Sequence, residues 1–228
     1  ASRPRFDLSQ ADFVIDFGSD FLESWTSPVE HGRQFADARR VDQEGGGARL
    51  VYVGPRLTLT AGNADEWLPA KPGTEGVLAL GIARAALDAA RESGVDVPDA
   101  DRLRGILSGF GASSVSTIAE VPAATIKKLG KALLAADQPV ALPPGVALTS
   151  RHATATASAV LILNAVVGAI GKTVFVVPDG DAADQVASFR DMAQLVKRMK
   201  AGSISLLLIH DSNPIYSMPA ESDFATAL

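Results

Sequence analysis

The sequence predicts an α/β fold built on an open, mainly parallel sheet, and three features carry that expectation. Short continuous apolar runs, Ala11 to Phe17 and Arg49 to Val53, end in Gly-containing turns, as strands buried on both faces do. Segments with apolar residues at helical spacing separate these runs. The connections between them are long enough for the right-handed crossovers that parallel strands require.

Taken in order, "ADFVIDFGSD" predicts a strand over Phe13 to Phe17, closed by the Gly18-Ser19 turn. Pro28 to Arg40 predicts a helix, and "DQEGGG", Asp42 to Gly47, a surface turn. Leu50 to Val53 is the next strand, ended by Gly54-Pro55. Pro72-Gly73-Thr74-Glu75 reads as a turn and helix start with Thr74 as its cap, followed by Val77, Leu78, Leu80, Ile82, Ala85 and Ala86. Val95 to Ser116 reads as turns and short pieces, with "GASSVST" a polar loop. Pro122 opens a helix carrying Ile126, Leu129 and Leu133 on one side. Val140 to Leu142 is a strand, and His152 to Ile170 a helix closed by Gly168 and Gly171. "KTVFVVPDGD" then begins a new unit with a helix from Asp184 to Lys200 and a strand over Ile204 to Ile209. A boundary near Gly171 gives a first lobe over 1–170 and an incomplete second α/β lobe over 171–228.

The opening design occurs twice. In "FVIDFGSDFLESW" and "LLLIHDSNPIYSMP" an apolar run leads into a polar turn, Gly18 to Ser24 matching Asp211 to Ser217. Such turns lie where open α/β sheets bind ligands, at the C-terminal edge of the strands. The second copy stops shortly before Leu228, so the expectation is a fragment whose second lobe has an open sheet edge or apolar face.

Composition narrows the chemistry. With 47% hydrophobic and 21% charged residues in 228, the chain can bury a sizeable core. A net charge of -5 argues against nucleic acid bound through a basic surface. Cysteine is absent, which excludes disulfides, thiolate metal sites, iron–sulfur ligation and cysteine nucleophiles from these residues. Ala155 to Ile170 is interrupted by Ser158, Asn164 and Gly168, so it reads as a buried helix, and no direct membrane insertion is expected. His31, His152 and His210 fall at no metal-ligand spacing and read as surface or helix-end residues. No G-x-S-x-G elbow occurs, and "DFGSD" lacks the companion motifs of a kinase.

A nucleotide site has more support. The turns at Gly18-Ser19, Gly54-Pro55-Arg56 and Gly73-Thr74 fall at strand ends or helix starts, where free backbone N–H groups suit a phosphate and Arg56 adds charge. The alternative is that Gly and Pro merely shape the turns and Arg56 is solvated. Asp65 and Glu66 have the same two readings: ligand orientation, or a helix or strand edge with Trp67 packed under the loop.

"RLVYVGPRLTLTAGNADEWLPAKPGTEGVLALGIARAAL" resembles a segment of the molybdopterin oxidoreductase family, whose large subunits bind a bis-molybdopterin guanine dinucleotide cofactor. "ADFVIDFGSDFLES", "VPAATIKKLGKALLAADQPVAL", "LNAVVGAIGK" and "ISLLLIHDSNPIYSMPA" are similar to further family segments in the same order, so the resemblance covers nearly the whole chain. It implies a Rossmann-like lobe for each guanine dinucleotide arm. By resemblance, Gly18, Ser19, Asp20 and Ser24 line the phosphate and ribose end of one arm, with Pro55, Arg56 and Asp65 on the next loop. Gly73, Thr74 and Glu75 approach the guanine, and Asp211, Ser212 and Asn213 serve the other arm. By the same resemblance, Gly54 stands where the family has the Asp that holds a ribose hydroxyl pair, Asp20 where it has Asn, and Glu75 where it has the Asp facing guanine, so Gly54→Asp is the change expected to restore a degenerate site.

The family's iron–sulfur cluster and metal ligand precede the first Gly-Ser loop, so the resemblance implies an internal fragment with no catalytic residue and no metal ligand of its own. It implies as partners the rest of the same large subunit, an iron–sulfur subunit and a membrane anchor subunit, in a periplasmic or membrane-associated complex. Polysulfide-reductase-like members and the related subunit of alternative complex III are the most similar in flavour, and the latter keeps the fold without the pterin. Three readings stand: a cradle for the guanine dinucleotide arms of a molybdopterin-dependent oxidoreductase; a pterin-free scaffold subunit of a respiratory redox complex, as in alternative complex III; or an unrelated nucleotide-binding α/β domain.

Overall fold

Strand β1 (Arg3–Phe6) is followed by β2 (Phe13–Asp16), four residues buried in succession. Because successive side chains alternate between faces, continuous burial means that both faces of β2 are covered. Helix α1 (Pro28–Ala38) starts on Pro28, whose missing N–H is no loss in a first turn. Strand β3 (Arg49–Val53) follows, then the short α2 (Leu59–Gly62), whose Thr58 side chain accepts from Ala61 N at 3.1 Å, and β4 (Glu66–Leu68).

Helix α3 (Glu75–Ser93) runs to Gly94, which ends it at φ 72°. Next come α4 (Ala100–Ile106), α5 (Ala112–Ala119), α6 (Ala123–Ala135), β5 (Pro139–Leu142), α7 (Ala153–Val166) and β6 (Val174–Val177). Helices α8 (Phe189–Lys200), α9 (Pro214–Ser217) and α10 (Phe224–Ala227) complete the chain. This computed structural model describes residues 3–40, 47–145, 152–177 and 187–228. The turn expected over Asp42 to Gly47, all but its last residue, "PDGD" after Val177, and the first residues of the helix expected from Asp184 lie outside the described residues.

The chain divides into a larger unit, Pro4–Val176, and a smaller one, Ala1–Arg3 with Val177–Leu228. In the larger unit β4, β3, β2 and β5 form a parallel sheet in that order, with Phe13 level with Arg49 and Pro139, and Val51 with Glu66. β1 and β6 form a separate two-stranded sheet. Helix α3 packs against α5, α6 and α7, and two glycines set how closely. A Cβ at Gly130 of α6 would meet Ala86 N at 2.7 Å and Ile82 O at 2.9 Å. Gly130→Ala is therefore expected to force α6 off α3 and to cost about 1–3 kcal/mol, read as a lower urea midpoint. At the α3–α5 contact, Val115 lies against Gly81 in the same way.

Three expectations change. The Ser-rich stretch around Ser113 to Thr117 is helix α5 rather than a polar loop, because Val115 and Ala119 bury against the core while the serines face outward. Ile204 to Ile209 is not a strand: Leu206 is 76% and Leu208 84% exposed. An apolar run becomes a strand only when a neighbour takes up its N–H and C=O groups, and among the described residues none does. The smaller unit accordingly shows helices and no sheet of its own among the described residues, so a second lobe resembling the first is not seen there.

Candidate functional site

Parallel strands deliver their following loops to one edge of the sheet, and hydrogen bonds tie three of those loops together here. Asp16, the last residue of β2, is buried in an otherwise apolar strand and folds its Oδ1 back to accept from Ser19 N at 2.7 Å. Gly18 adopts φ 81° to make this turn, and its carbonyl accepts from Gly145 N after β5 at 3.0 Å. Asp20 follows at φ 56° and is 2% exposed.

From β3, Tyr52 reaches across and donates its hydroxyl to Asp20 Oδ1 at 2.9 Å. Arg56 Nη2 stands 3.8 Å from Asp20 Oδ2, with its own side chain mostly in solvent. Gly54 lies between them, and a Cβ there would meet Tyr52 Cε1 at 2.8 Å. Tyr52, 2% exposed, thus leans along its strand over the place where a residue-54 side chain would begin.

The electrostatics follow from burial. Asp16 Oδ2 and Ser19 Oγ are buried without a hydrogen-bond partner. Burial pushes the Asp16 carboxyl up to about 7, against the pull of the Ser19 N–H, and repulsion from Asp20 adds to the rise. Burial also holds the Tyr52 phenol far above its ordinary range, so it acts as a donor to Asp20 and not as an anion.

The other expected residues are placed unevenly. Gly18, Ser19, Asp20 and Arg56 come together at this edge of the sheet, the expected crevice, with Pro55 next to Arg56 in the chain, while Ser24 is exposed and donates its backbone N–H to Asp20 O at 2.9 Å. Gly73, Thr74 and Glu75 share the edge by topology but make no hydrogen bond to Asp20, Tyr52 or Arg56. Glu75 is buried and accepts from Gly73 N at 3.1 Å, and Thr74 donates to Lys71 O at 2.6 Å instead of capping α3. Asp65 precedes β4, at the opposite edge, where it takes two hydrogen bonds from Arg39 and one from Leu50 N. Asp211, Ser212 and Asn213 belong to the smaller unit and are exposed, with Asn213 Oδ1 accepting from Tyr216 N to cap α9.

Trp67 is 41% exposed rather than packed under the loop, and its indole N–H donates to Gly54 O at 2.9 Å. His31 is buried rather than on the surface, against the Trp25 ring and 3.0 Å from Thr26 Oγ1, and burial lowers its pKa. Sequence reasoning passed over Asp16 and Tyr52. The available signal for the first was a lone carboxylate in "FVIDF"; Tyr52 read as one more buried strand residue.

The fold is of the open α/β class, in which the loops at the C-terminal edge of a parallel sheet are the usual place for a ligand. The chain belongs to the molybdopterin oxidoreductase family, whose sequence profile matches residues 2–228. It is 29% identical over 236 residues to the "menaquinone reductase, molybdopterin-binding-like subunit" of Nitratidesulfovibrio vulgaris, which covers 98% of this chain and 33% of that protein. It is 35% identical over 83 residues to the molybdopterin-containing subunit of the arsenate respiratory reductase of Shewanella sp. strain ANA-3, covering 36% of this chain and 9% of that protein. The fold superposes on acetylene hydratase from Pelobacter acetylenicus with a TM-score of 0.61 at 18% identity, over 77% of this chain and 24% of that one. The chain therefore spans a third or less of these relatives.

The crevice residues do not fit a guanine dinucleotide arm. A diphosphate needs unpaired N–H groups and net positive charge. Here the Ser19 N–H is bound to Asp16, Asp20 places a second buried carboxyl in the turn, and Arg56 faces Asp20. Gly54 supplies no side-chain acceptor for a ribose, and the ring of Tyr52 lies where one would start. Among the described residues no three His, Cys, Asp or Glu side chains gather as a metal site, and no helix is long and apolar enough to cross a membrane.

Proposed function

We propose that this chain forms the scaffold of a large redox subunit of the molybdopterin oxidoreductase family, in a respiratory complex, with its nucleotide-arm crevice closed. The observation that carries this reading is the pairing of Asp20 with Tyr52 and Arg56 inside the crevice, beside a second buried carboxyl at Asp16. The relative described as molybdopterin-binding-like, similar over 98% of the chain, supports it. The cradle reading, in which the same lobe holds a guanine dinucleotide arm, draws on the family and on the reductases that are similar over shorter stretches.

Its partners in this reading are the rest of the same large subunit, an iron–sulfur subunit and a membrane anchor subunit, in a periplasmic or membrane-associated assembly. Exposed Leu206, Leu208, Ile215 and Tyr216 in the smaller unit supply apolar surface suited to such docking. Calorimetric titration of the protein with GDP tests the closed crevice. The expected result is no saturable heat; tight, saturable binding by the unmodified chain contradicts the reading.

A further inference from the structure

The geometry points to Tyr52 as the residue that keeps this crevice closed: its ring takes the space beside Gly54 and its hydroxyl locks Asp20, and removing both opens the edge to a nucleoside diphosphate. The inference rests on the closed-crevice reading and names its cause.

The argument is steric first. Tyr52 lies in β3 and Gly54 one residue past its end, and a side chain two positions on would project to the same side as the tyrosine. A side chain at 54 and the observed ring at 52 exclude one another, since the missing Cβ would lie 2.8 Å from Cε1, 3.2 Å from Cζ and 3.2 Å from the hydroxyl oxygen. Glycine at 54 is thus the partner of an inward-leaning tyrosine, and the pair fills the end of the strand from within. Gly54→Asp alone, which the sequence suggests as a way to restore a ribose acceptor, is expected to displace the ring and destabilise the chain without creating a site.

Electrostatics add the second half. The Tyr52 hydroxyl donates to a carboxylate that is almost wholly buried, a charge-assisted bond that fixes the Asp20 side chain in the crevice. Arg56 stands 3.8 Å from that carboxylate with most of its side chain in solvent, so its charge is shared with Asp20. A diphosphate approaching this edge meets a ring, a buried carboxylate and an arginine whose charge that carboxylate already offsets. Replacing Asp20 by Asn removes the charge and suits the backbone, because Asn tolerates the left-handed conformation that residue 20 holds at φ 56°. Replacing Tyr52 by Val removes the ring and keeps a strong strand former in β3.

The test is GDP titration of the unmodified protein, of Tyr52→Val with Asp20→Asn, and of that pair with Arg56→Gln, each checked for a cooperative thermal transition. The expected result is no saturable binding by the unmodified protein up to the highest GDP concentration used, saturable binding by the double variant with a Kd at least roughly tenfold below that concentration, and loss of that binding when Arg56 is replaced. A folded double variant that binds no better than the unmodified chain overturns the inference and leaves the closed-crevice reading in place. Tight binding by the unmodified chain overturns both. Should the double variant not fold, Gly54→Ala in the native background decides. A lowered thermal midpoint that Tyr52→Phe does not relieve supports the ring's position, and an unchanged midpoint overturns the inference.

Discussion

Asp16→Asn is expected to make the protein more stable at pH 8 and to leave its stability near pH 4 almost unchanged. Burial raises the Asp16 carboxyl to about 7 from an ordinary 3.8, so between those values the folded chain holds a proton that the unfolded chain has released. Stability from this group is complete below about pH 4, falls through the window and levels above about 7. The whole change amounts to about 4 kcal/mol at 1.36 kcal/mol per unit. The amide keeps the acceptor for Ser19 N and removes the charge that burial and Asp20 both oppose. Urea unfolding of both proteins from pH 4 to 8 checks this. The difference in unfolding free energy should grow with pH through the window and then flatten, and a difference independent of pH rejects the assignment.

The second large effect is expected at Asn164, in the middle of α7. β5 is an edge strand, and the outward N–H and C=O of Ala141 have no strand to pair with. The Asn164 amide takes both, accepting from Ala141 N at 2.9 Å and donating to Ala141 O at 2.8 Å, and it also donates to Val160 O at 3.1 Å. All of this is buried. Asn164→Leu would bury the two backbone groups of Ala141 without partners, at roughly 1–3 kcal/mol each. Asn164→Asp keeps the acceptor but sets a carboxylate oxygen against a carbonyl, so it should cost at least as much. Thermal unfolding of the two variants measures this, and midpoints within a degree or two of the native protein would show that α7 does not seal the edge.

The strands at Phe13, Arg49 and Pro139 were legible because each is an apolar run stopped by a turn and buried on both faces. Ile204 to Ile209 has the same composition and is no strand, since a strand is defined by its neighbours as much as by its own residues. Helix α5 was hidden for the opposite reason: its serines dominate the sequence, and only the fit of Val115 against Gly81 shows which face is buried.

At the candidate site, the turns at Gly18 and Gly54 were legible as places where a backbone can approach a ligand. What fills them was not. Tyr52 reads as an ordinary strand residue until its hydroxyl is seen on Asp20, 32 positions earlier, and Gly54 reads as a phosphate turn until the ring beside it is seen. The family resemblance supplied the positions and their departures, while the geometry links two of the three: Gly54 accommodates Tyr52, and Tyr52 bonds Asp20, whereas Glu75 binds Gly73 N on its own loop.

The most direct measurement is the guanine nucleotide content of the intact large subunit purified with its partners. Acid hydrolysis releases GMP from a bound guanine dinucleotide arm, and chromatography quantifies it against protein. A closed crevice predicts no GMP above background. Stoichiometric release would contradict the closed-crevice account.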